Sequence, residues 1–402
     1  INTEITLEDV WASPTFFPET LGDMVHMKDG EYYCILEDDL MINEYEYKTG
    51  EKTRTIVRTS QLIPEGAKEA ITIDKFSFNP DETKILIGTE TEHIYRYSTK
   101  MEYYIWDIKT EKLTKLSDGG KERLASFSPN GNDIVFLRDN NIFIRHLKTN
   151  KEEQITTDGK WNNIIYGSPD WVYEEEFSFS KAYQWSPDGN KLAYYRFDES
   201  KVKEFEMILY DSLYPTTYKY KYPKAGEDNS VVSVYVYDLS TGKSVAMDVG
   251  TETDQYIPRI KWTKNSDLLS IQRMNRLQNK LEMLLANSND GSSKVIYTEV
   301  NSSYIEITDN LYFLANEKEF FLTGDIDGFN HIYLYGLDGK KIKQLTSGKW
   351  DVREIIAFDE KNKLIYFTSS ENSAMNKDLY SVKLDGTGKK LISEKKGTSE
   401  AQ

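Results

Sequence analysis

Three consecutive glutamates, Glu174, Glu175 and Glu176, stand inside the segment Asp170-Trp171-Val172-Tyr173-Glu174-Glu175-Glu176-Phe177. Their neighbours Trp171, Val172, Tyr173, Phe177 and Phe179 are large apolar or aromatic side chains that seek burial. An acidic run on a solvated face would instead be flanked by Lys, Ser or Gln. Carboxylates held against an apolar surface are costly unless a positive charge meets them. That charge comes either from an internal Arg or Lys or from a cationic ligand that arrives from outside. On a strand, consecutive side chains point to opposite faces. On a helix they are about 100° apart, and long glutamate side chains can still converge. A helical turn is therefore expected over 171–177.

The rest of the chain offers little competing chemistry. His26, His93, His146 and His331 are scattered and show none of the usual metal-ligand spacings. A single cysteine, Cys34, excludes an intrachain disulfide and a thiolate cluster for zinc. No cofactor and no metal are expected. The net charge of −16, without a basic stripe, argues against nucleic acid as a partner. No run approaches the ~18 apolar residues of a membrane-spanning helix. The chain opens at Ile1 without a methionine, as expected of a processed or trimmed product.

The elements that position the glutamates follow from a repeat. The 402 residues, 13% aromatic and with 28 tyrosines, suit an all-β chain. A strand, an Asp or turn residue, a Lys/Thr/Gly step and a second strand recur in seven copies, at 41–50, 103–110, 142–149, 234–242, 283–291, 332–339 and 379–386. Several copies are preceded by a tight turn and an alternating strand, as in Phe78-Asn-Pro-Asp81, Phe127-Ser-Pro-Asn-Gly131 and Trp185-Ser-Pro-Asp-Gly189. Repeats of ~40 residues or more, with period-2 apolar alternation, predict the four-stranded antiparallel blades of a β-propeller. The expected organisation is a lead-in over 1–20 and a propeller over 21–402. Two segments break the repeat: 161–179, with the glutamates, and a Tyr-rich arm over 203–229 carrying Tyr210, Tyr214, Tyr218 and Tyr220. Such an arm is either a packed insertion or an association surface. The final residues, 394–402, read as a linker.

Three ordered motifs, Tyr95-Arg96-Tyr-Ser98 leading into Tyr104-Ile-Trp-Asp107, Asp170-Trp-Val-Tyr-Glu-Glu-Glu176 and Tyr222-Pro-Lys-Ala-Gly226, resemble the dipeptidyl peptidase IV family of prolyl-specific serine exopeptidases, in a bacterial-type member. The likeness covers nearly the whole chain as the family's N-terminal propeller, and Ile5-Thr-Leu-Glu-Asp-Val-Trp11 is similar to its lead-in. The resemblance implies eight blades followed by an α/β-hydrolase domain with a Ser-Asp-His triad and a Gly-x-Ser-x-Gly elbow. No such elbow occurs in this sequence. Seven repeats and no elbow lead to the expectation of a chain cut before the last blade and the catalytic domain, with no catalytic residue of its own and no activity alone.

The resemblance also implies roles. Glu175 and Glu176 would bind the free α-ammonium of a peptide substrate, and two carboxylates suit an ammonium because they accept its hydrogen bonds while cancelling its charge. Set a fixed distance from a nucleophile, they would admit two residues before the scissile bond, so that X-Pro or X-Ala dipeptides are released and blocked N-termini are rejected. Arg96 would orient a substrate backbone carbonyl and could hold one of the carboxylates. Glu174 is expected to point outward without a role. Where vertebrate members carry an Arg-Phe-Arg cluster, this chain has Tyr304-Ile-Glu-Ile-Thr-Asp309, so Tyr304 is the candidate for the outer pocket. The tyrosine arm, with Tyr210, Tyr214, Tyr218 and Tyr220, would contact a second subunit in a homodimer. A secreted, periplasmic or surface-anchored location is implied. Two alternatives stay open: a catalytically silent propeller that serves as a binding module or scaffold, and a relative that releases tripeptides.

Overall fold

Each copy of the repeat becomes the third strand of an antiparallel sheet: Met41–Glu46, Thr99–Asp107, Asn141–His146, Val231–Asp238, Lys280–Asn287, Asn330–Gly336 and Asp378–Lys383. Seven such sheets are present among the described residues. Six are simple four-stranded meanders and the one containing Val231–Asp238 has five strands. The computed structural model describes residues 4–17, 24–394 and 397–401. Residues 1–3 and 18–20 of the expected lead-in, 21–23 at the expected start of the propeller, and 395–396 and 402 of the tail lie outside them. Within the lead-in, Leu7–Trp11 is a short helix whose Thr6 and Asp9 cap each other reciprocally.

The chain divides into two units. The first is Ile1–Glu92 with Lys100–Glu122 and holds two sheets. The second, His93–Thr99 with Arg123–Gln402, holds five. The Pro-containing turns join first to second strands. In 185–189, Gly189 at φ +71° donates its N–H to Ser186 O at 2.9 Å. The Asp188 carboxylate accepts from Ser186 Oγ at 2.6 Å and from Asn190 N at 3.0 Å, which closes the hairpin locally.

Period-2 burial appears in Val231–Asp238 but not in the inner strands. Phe320 and Phe321 of Glu319–Asp325 are both fully buried. The reason lies in the stacking. In the second unit one apolar cluster joins the third sheet to the fourth, another the fourth to the fifth, and two more the fifth to the sixth and the sixth to the seventh. An inner strand therefore has a core on both faces, and alternation survives only where one face is partly solvated.

The five-stranded sheet carries the glutamate segment. Its first strand position is filled twice, by Ile164–Tyr166 and by Tyr183–Trp185, both paired with Lys191–Asp198 in one continuous register. The chain leaves at Gly167, which donates to Tyr195 O at 3.1 Å, and rejoins at Ala182, which donates to Gly167 O at 2.9 Å. Residues 168–181 are thus an excursion pinched off from one edge strand. Gly167 sits at φ +72°, and a Cβ there would come 2.7 Å from Leu137 Cδ2, so only glycine fits the exit. A second excursion leaves the same sheet as the two-stranded arm Glu204–Leu209 and Thr216–Lys221.

Candidate functional site

The expected helical turn is present as Trp171–Glu176. Asp170 caps it, accepting from Tyr173 N at 3.0 Å and from Ser230 Oγ at 2.6 Å. Tyr173 anchors its inner face. It is 1% exposed, packs against Phe177, Phe179, Phe197 and Tyr256, and its hydroxyl accepts from Ile257 N at 2.9 Å. Burial pushes its ionisation well above the ordinary tyrosine range, so it stays a neutral structural group. At the other end, Arg259 Nη1 donates to Phe177 O at 2.9 Å. The same guanidinium holds Asp309 with Nε–Oδ1 at 2.6 Å and Nη2–Oδ2 at 3.3 Å. The helix is fixed at both ends, and its C-terminal carbonyl is tied to the segment that carries Tyr304.

With the helix fixed, the ~100° step per residue sends the three glutamates into different surroundings. Glu174 points inward, contrary to the outward orientation expected. It is fully buried, its Oε1 accepting from Tyr97 N at 2.9 Å and Ser98 N at 2.8 Å and its Oε2 from the Ser98 hydroxyl. Burial is tolerated because three donors replace water. Glu175 is partly buried and meets Arg96 Nε at 3.1 Å, while the Arg96 side chain stays 66% exposed. Glu176 is exposed and lies at the edge of a pocket of ≈ 280 Å³ lined also by Trp171, Tyr222, Lys224, Tyr256 and Arg276. Trp171 packs on Tyr222 with ring centroids 4.3 Å apart, so two of the three sequence motifs meet at this pocket.

The helix and the 94–98 bend therefore bring Arg96 to Glu175. Tyr304 is half exposed, and its phenol is shifted upward by burial first and then by the charges of Glu306 and Glu176. The four tyrosines of the arm divide into two pairs. Tyr210 and Tyr214 are 80% exposed at the tip. Tyr218 packs on Trp161, and the buried Tyr220 packs on Tyr95 and Phe205. Through Tyr220 on Tyr95 the arm rests beside the bend that carries Arg96, while Glu204–Ile208 and the tip are exposed.

Two groups at the site carried no signal of their own in the sequence. Glu199 is buried, its N–H donating to Asn163 O at 2.9 Å. Desolvation, then the negative charge of Asp170, push its carboxyl up to about 8, against an opposing pull from Lys221. Arg123 donates from Nη2 to Ser98 Oγ at 2.9 Å and from Nη1 to Ser168 Oγ at 3.1 Å, joining the bend to the start of the excursion. Ser98 lay within a recognised motif, whereas Glu199 in Asp198-Glu199-Ser200 reads as an ordinary exposed turn.

Comparison with known proteins shows the family of the chain. The family pattern described as "Dipeptidyl peptidase IV (DPP IV) N-terminal region" matches residues 79–402. The chain is 32% identical over 340 residues to the "Probable dipeptidyl-aminopeptidase B" of Uncinocarpus reesii, covering 77% of this chain and 37% of that one. It is 28% identical over 444 residues to the protein of the same name from Pyrenophora teres f. teres, covering 98% and 48%. Among solved structures, dipeptidyl peptidase 4 of Porphyromonas gingivalis superimposes with a TM-score of 0.92 at 34% identity, over 99% of this chain and 56% of that one. The chain spans about half or less of the length of these curated relatives. The expected β-propeller, with seven antiparallel blades in the described residues, is the fold that this similarity supports. The chain belongs to the dipeptidyl peptidase IV family, as the family's N-terminal propeller region.

Proposed function

We propose that this chain is the substrate-gating propeller of a serine dipeptidyl peptidase that removes X-Pro or X-Ala dipeptides from free peptide N-termini. The observation that carries this reading is a charge imbalance on one helical turn. Glu175 and Glu176 bring two negative charges, and Arg96, on Glu175 Nε–Oε2 at 3.1 Å, supplies one positive charge. Arg276 at the pocket is already paired with Asp254 at 3.0 Å. Lys224 also lines the pocket, yet among the described residues no cation lies within ion-pair distance of Glu176; the α-ammonium of a peptide supplies one, with three hydrogen-bond donors.

In this reading Glu175 and Glu176 grip the ammonium and fix the substrate's first residue. Arg96 has most of its guanidinium free in solvent to donate to a substrate carbonyl while Glu175 steadies it. The helix is rigid at both ends, so the grip sits at a constant distance from the reacting bond and measures two residues. The triad lies in the part of the parent protein beyond this chain, Tyr304 lines the outer pocket, and the parent is secreted or periplasmic and dimerises through the arm.

The test is cleavage by the full-length protein of Gly-Pro linked to a chromophore, offered with a free amine and N-acetylated. Cleavage of the free form alone is expected. Cleavage of neither identifies a silent binding propeller, and cleavage of both removes the glutamates from the gate. Ala-Ala-Pro linked to the same chromophore separates tripeptide from dipeptide release.

A further inference from the structure

Arg96 sits in the bend between Lys84–His93 and Thr99–Asp107, its side chain 66% exposed and held at Glu175 by one 3.1 Å contact. A surface pair of that kind holds a side chain only weakly, and a long exposed side chain retains considerable rotamer freedom. Something else must fix the backbone from which Arg96 projects. The buried Glu174 does so. Its Oε1 accepts two consecutive backbone N–H groups, Tyr97 at 2.9 Å and Ser98 at 2.8 Å, directly after Arg96, and its Oε2 takes the Ser98 hydroxyl. Ser98 Oγ receives Arg123 Nη2 at 2.9 Å, and Arg123 Nη1 reaches Ser168 Oγ at 3.1 Å, two residues before the helix cap Asp170. The helix, the bend and the start of the excursion are closed into one hydrogen-bonded circuit. A second line inside the bend, Ile94 N to Ser98 O at 2.8 Å, keeps it tight.

We propose that Glu174 is a positioning residue: its carboxylate clamps the backbone at 97–98 and thereby presents the Arg96 guanidinium to Glu175 and to the substrate. This rests on the reading of Arg96 and Glu175 as substrate contacts. The triplet then divides its labour, with one glutamate building the bend and two facing the ligand. Charged acceptors are suited to this task because a carboxylate bonds adjacent N–H donors about twice as strongly as a neutral carbonyl does.

The experiment measures kcat and KM of the full-length protein on free-amine Gly-Pro-chromophore for R96A, E175Q, E174Q, S98A and the double variant E174Q/R96A. Glutamine fills the same space and keeps an oxygen for the N–H groups, but it brings an N–H₂ to the Ser98 hydroxyl in place of an acceptor. E174Q is expected to raise KM about tenfold, the effect of weakening one charged hydrogen-bond set, with kcat within about twofold. S98A is expected to shift KM in the same direction, by less. The double variant should be no worse than R96A, because a residue that acts through Arg96 has nothing left to act on. Effects that multiply in the double variant would mean that Glu174 serves general stability only and would overturn the proposal. R96A impaired beside E174Q at wild-type KM overturns it alone, whereas R96A and E175Q both at wild-type KM overturn the underlying reading of the site as well.

Discussion

Asp170, the cap of the helix bearing the glutamate triplet, and Glu199 are both buried, close enough that the charge of Asp170 acts on the Glu199 carboxyl. Glu199 is pushed up to about 8, by desolvation first and by Asp170 second. An ordinary glutamate in the unfolded chain titrates near ~4.3. Below that value both states hold the proton and Glu199 has no effect on stability. Between the two values the folded state keeps its proton while the unfolded state loses it, so stability falls as pH rises, by at most about 1.4 kcal/mol per pH unit. Above about 8 the loss is complete. Replacing Glu199 with Gln removes the titration, so E199Q should gain stability over wild type progressively from pH 5.5 to pH 8. Urea unfolding at several pH values measures this, and a difference that stays constant with pH would refute it.

Arg259 carries a different kind of constraint, since it joins the helix end at Phe177 O to Asp309. Its side chain is largely buried and stacks over Phe179 at 5.6 Å. Arg259→Met keeps the aliphatic stem but removes every donor, leaving a buried carbonyl without its partner, a loss of about 1–3 kcal/mol. The segment with Tyr304 loses its tie to the helix in the same variant. The expected outcome is lower stability in urea and faster amide exchange over 304–309, with D309N showing the exchange effect but a smaller stability loss because Phe177 O keeps its donor. Wild-type exchange in both variants would mean that the pair does not order this segment.

What the sequence disclosed and what it hid separate along one physical line. Turns built from adjacent residues were legible, because Ser186, Asp188 and Gly189 close a hairpin among themselves. Together with seven copies of the strand–turn–strand repeat, they sufficed to read the propeller. The helix at Trp171–Glu176 was legible for the same reason, as consecutive glutamates next to aromatics make sense only on a turn. The direction of Glu174 was not, because it is set by Tyr97 and Ser98, 77 and 76 residues away. Arg259 and Asp309 meet across 50 residues, and neither has a local pattern that announces the other. Glu199 is buried and feels the charges of Asp170 and Lys221, 29 and 22 residues away, and nothing in Asp198-Glu199-Ser200 encodes that.

On the proposed reading, Glu175 and Glu176 should differ from Glu174 in their signature. In the full-length protein, Glu176→Ala is expected to lower kcat/KM on free-amine X-Pro substrates at least tenfold, the loss of one charge-assisted contact, without lowering stability. Glu176 is exposed, so its removal leaves no buried charge unpaired. Activity should also decline as pH passes about 8, where a peptide α-amine loses its proton. That decline should track the amine of the substrate: a substrate with a more acidic amine should lose activity at correspondingly lower pH. A pH limb indifferent to the substrate amine would place the titrating group in the enzyme instead.

The arm makes the last prediction. Its base is embedded, Tyr218 on Trp161 and Tyr220 on Tyr95, but Tyr210, Leu213 and Tyr214 are 80%, 91% and 80% exposed at the tip. Three large apolar groups projected into water on a two-stranded ribbon are costly unless another surface covers them. If that surface is a second subunit, the full-length protein sediments as a dimer, and the combined Tyr210→Ser, Leu213→Ser, Tyr214→Ser variant shifts toward monomer with its urea midpoint unchanged at protein concentrations where both are monomeric. The base pairings predict the contrast. Tyr220→Ser removes a buried ring from the wall beside Arg96 and should lower the urea midpoint, at about 3–5 kcal/mol for deletion of a large buried aromatic. A tip variant that remains dimeric would assign the arm to packing alone.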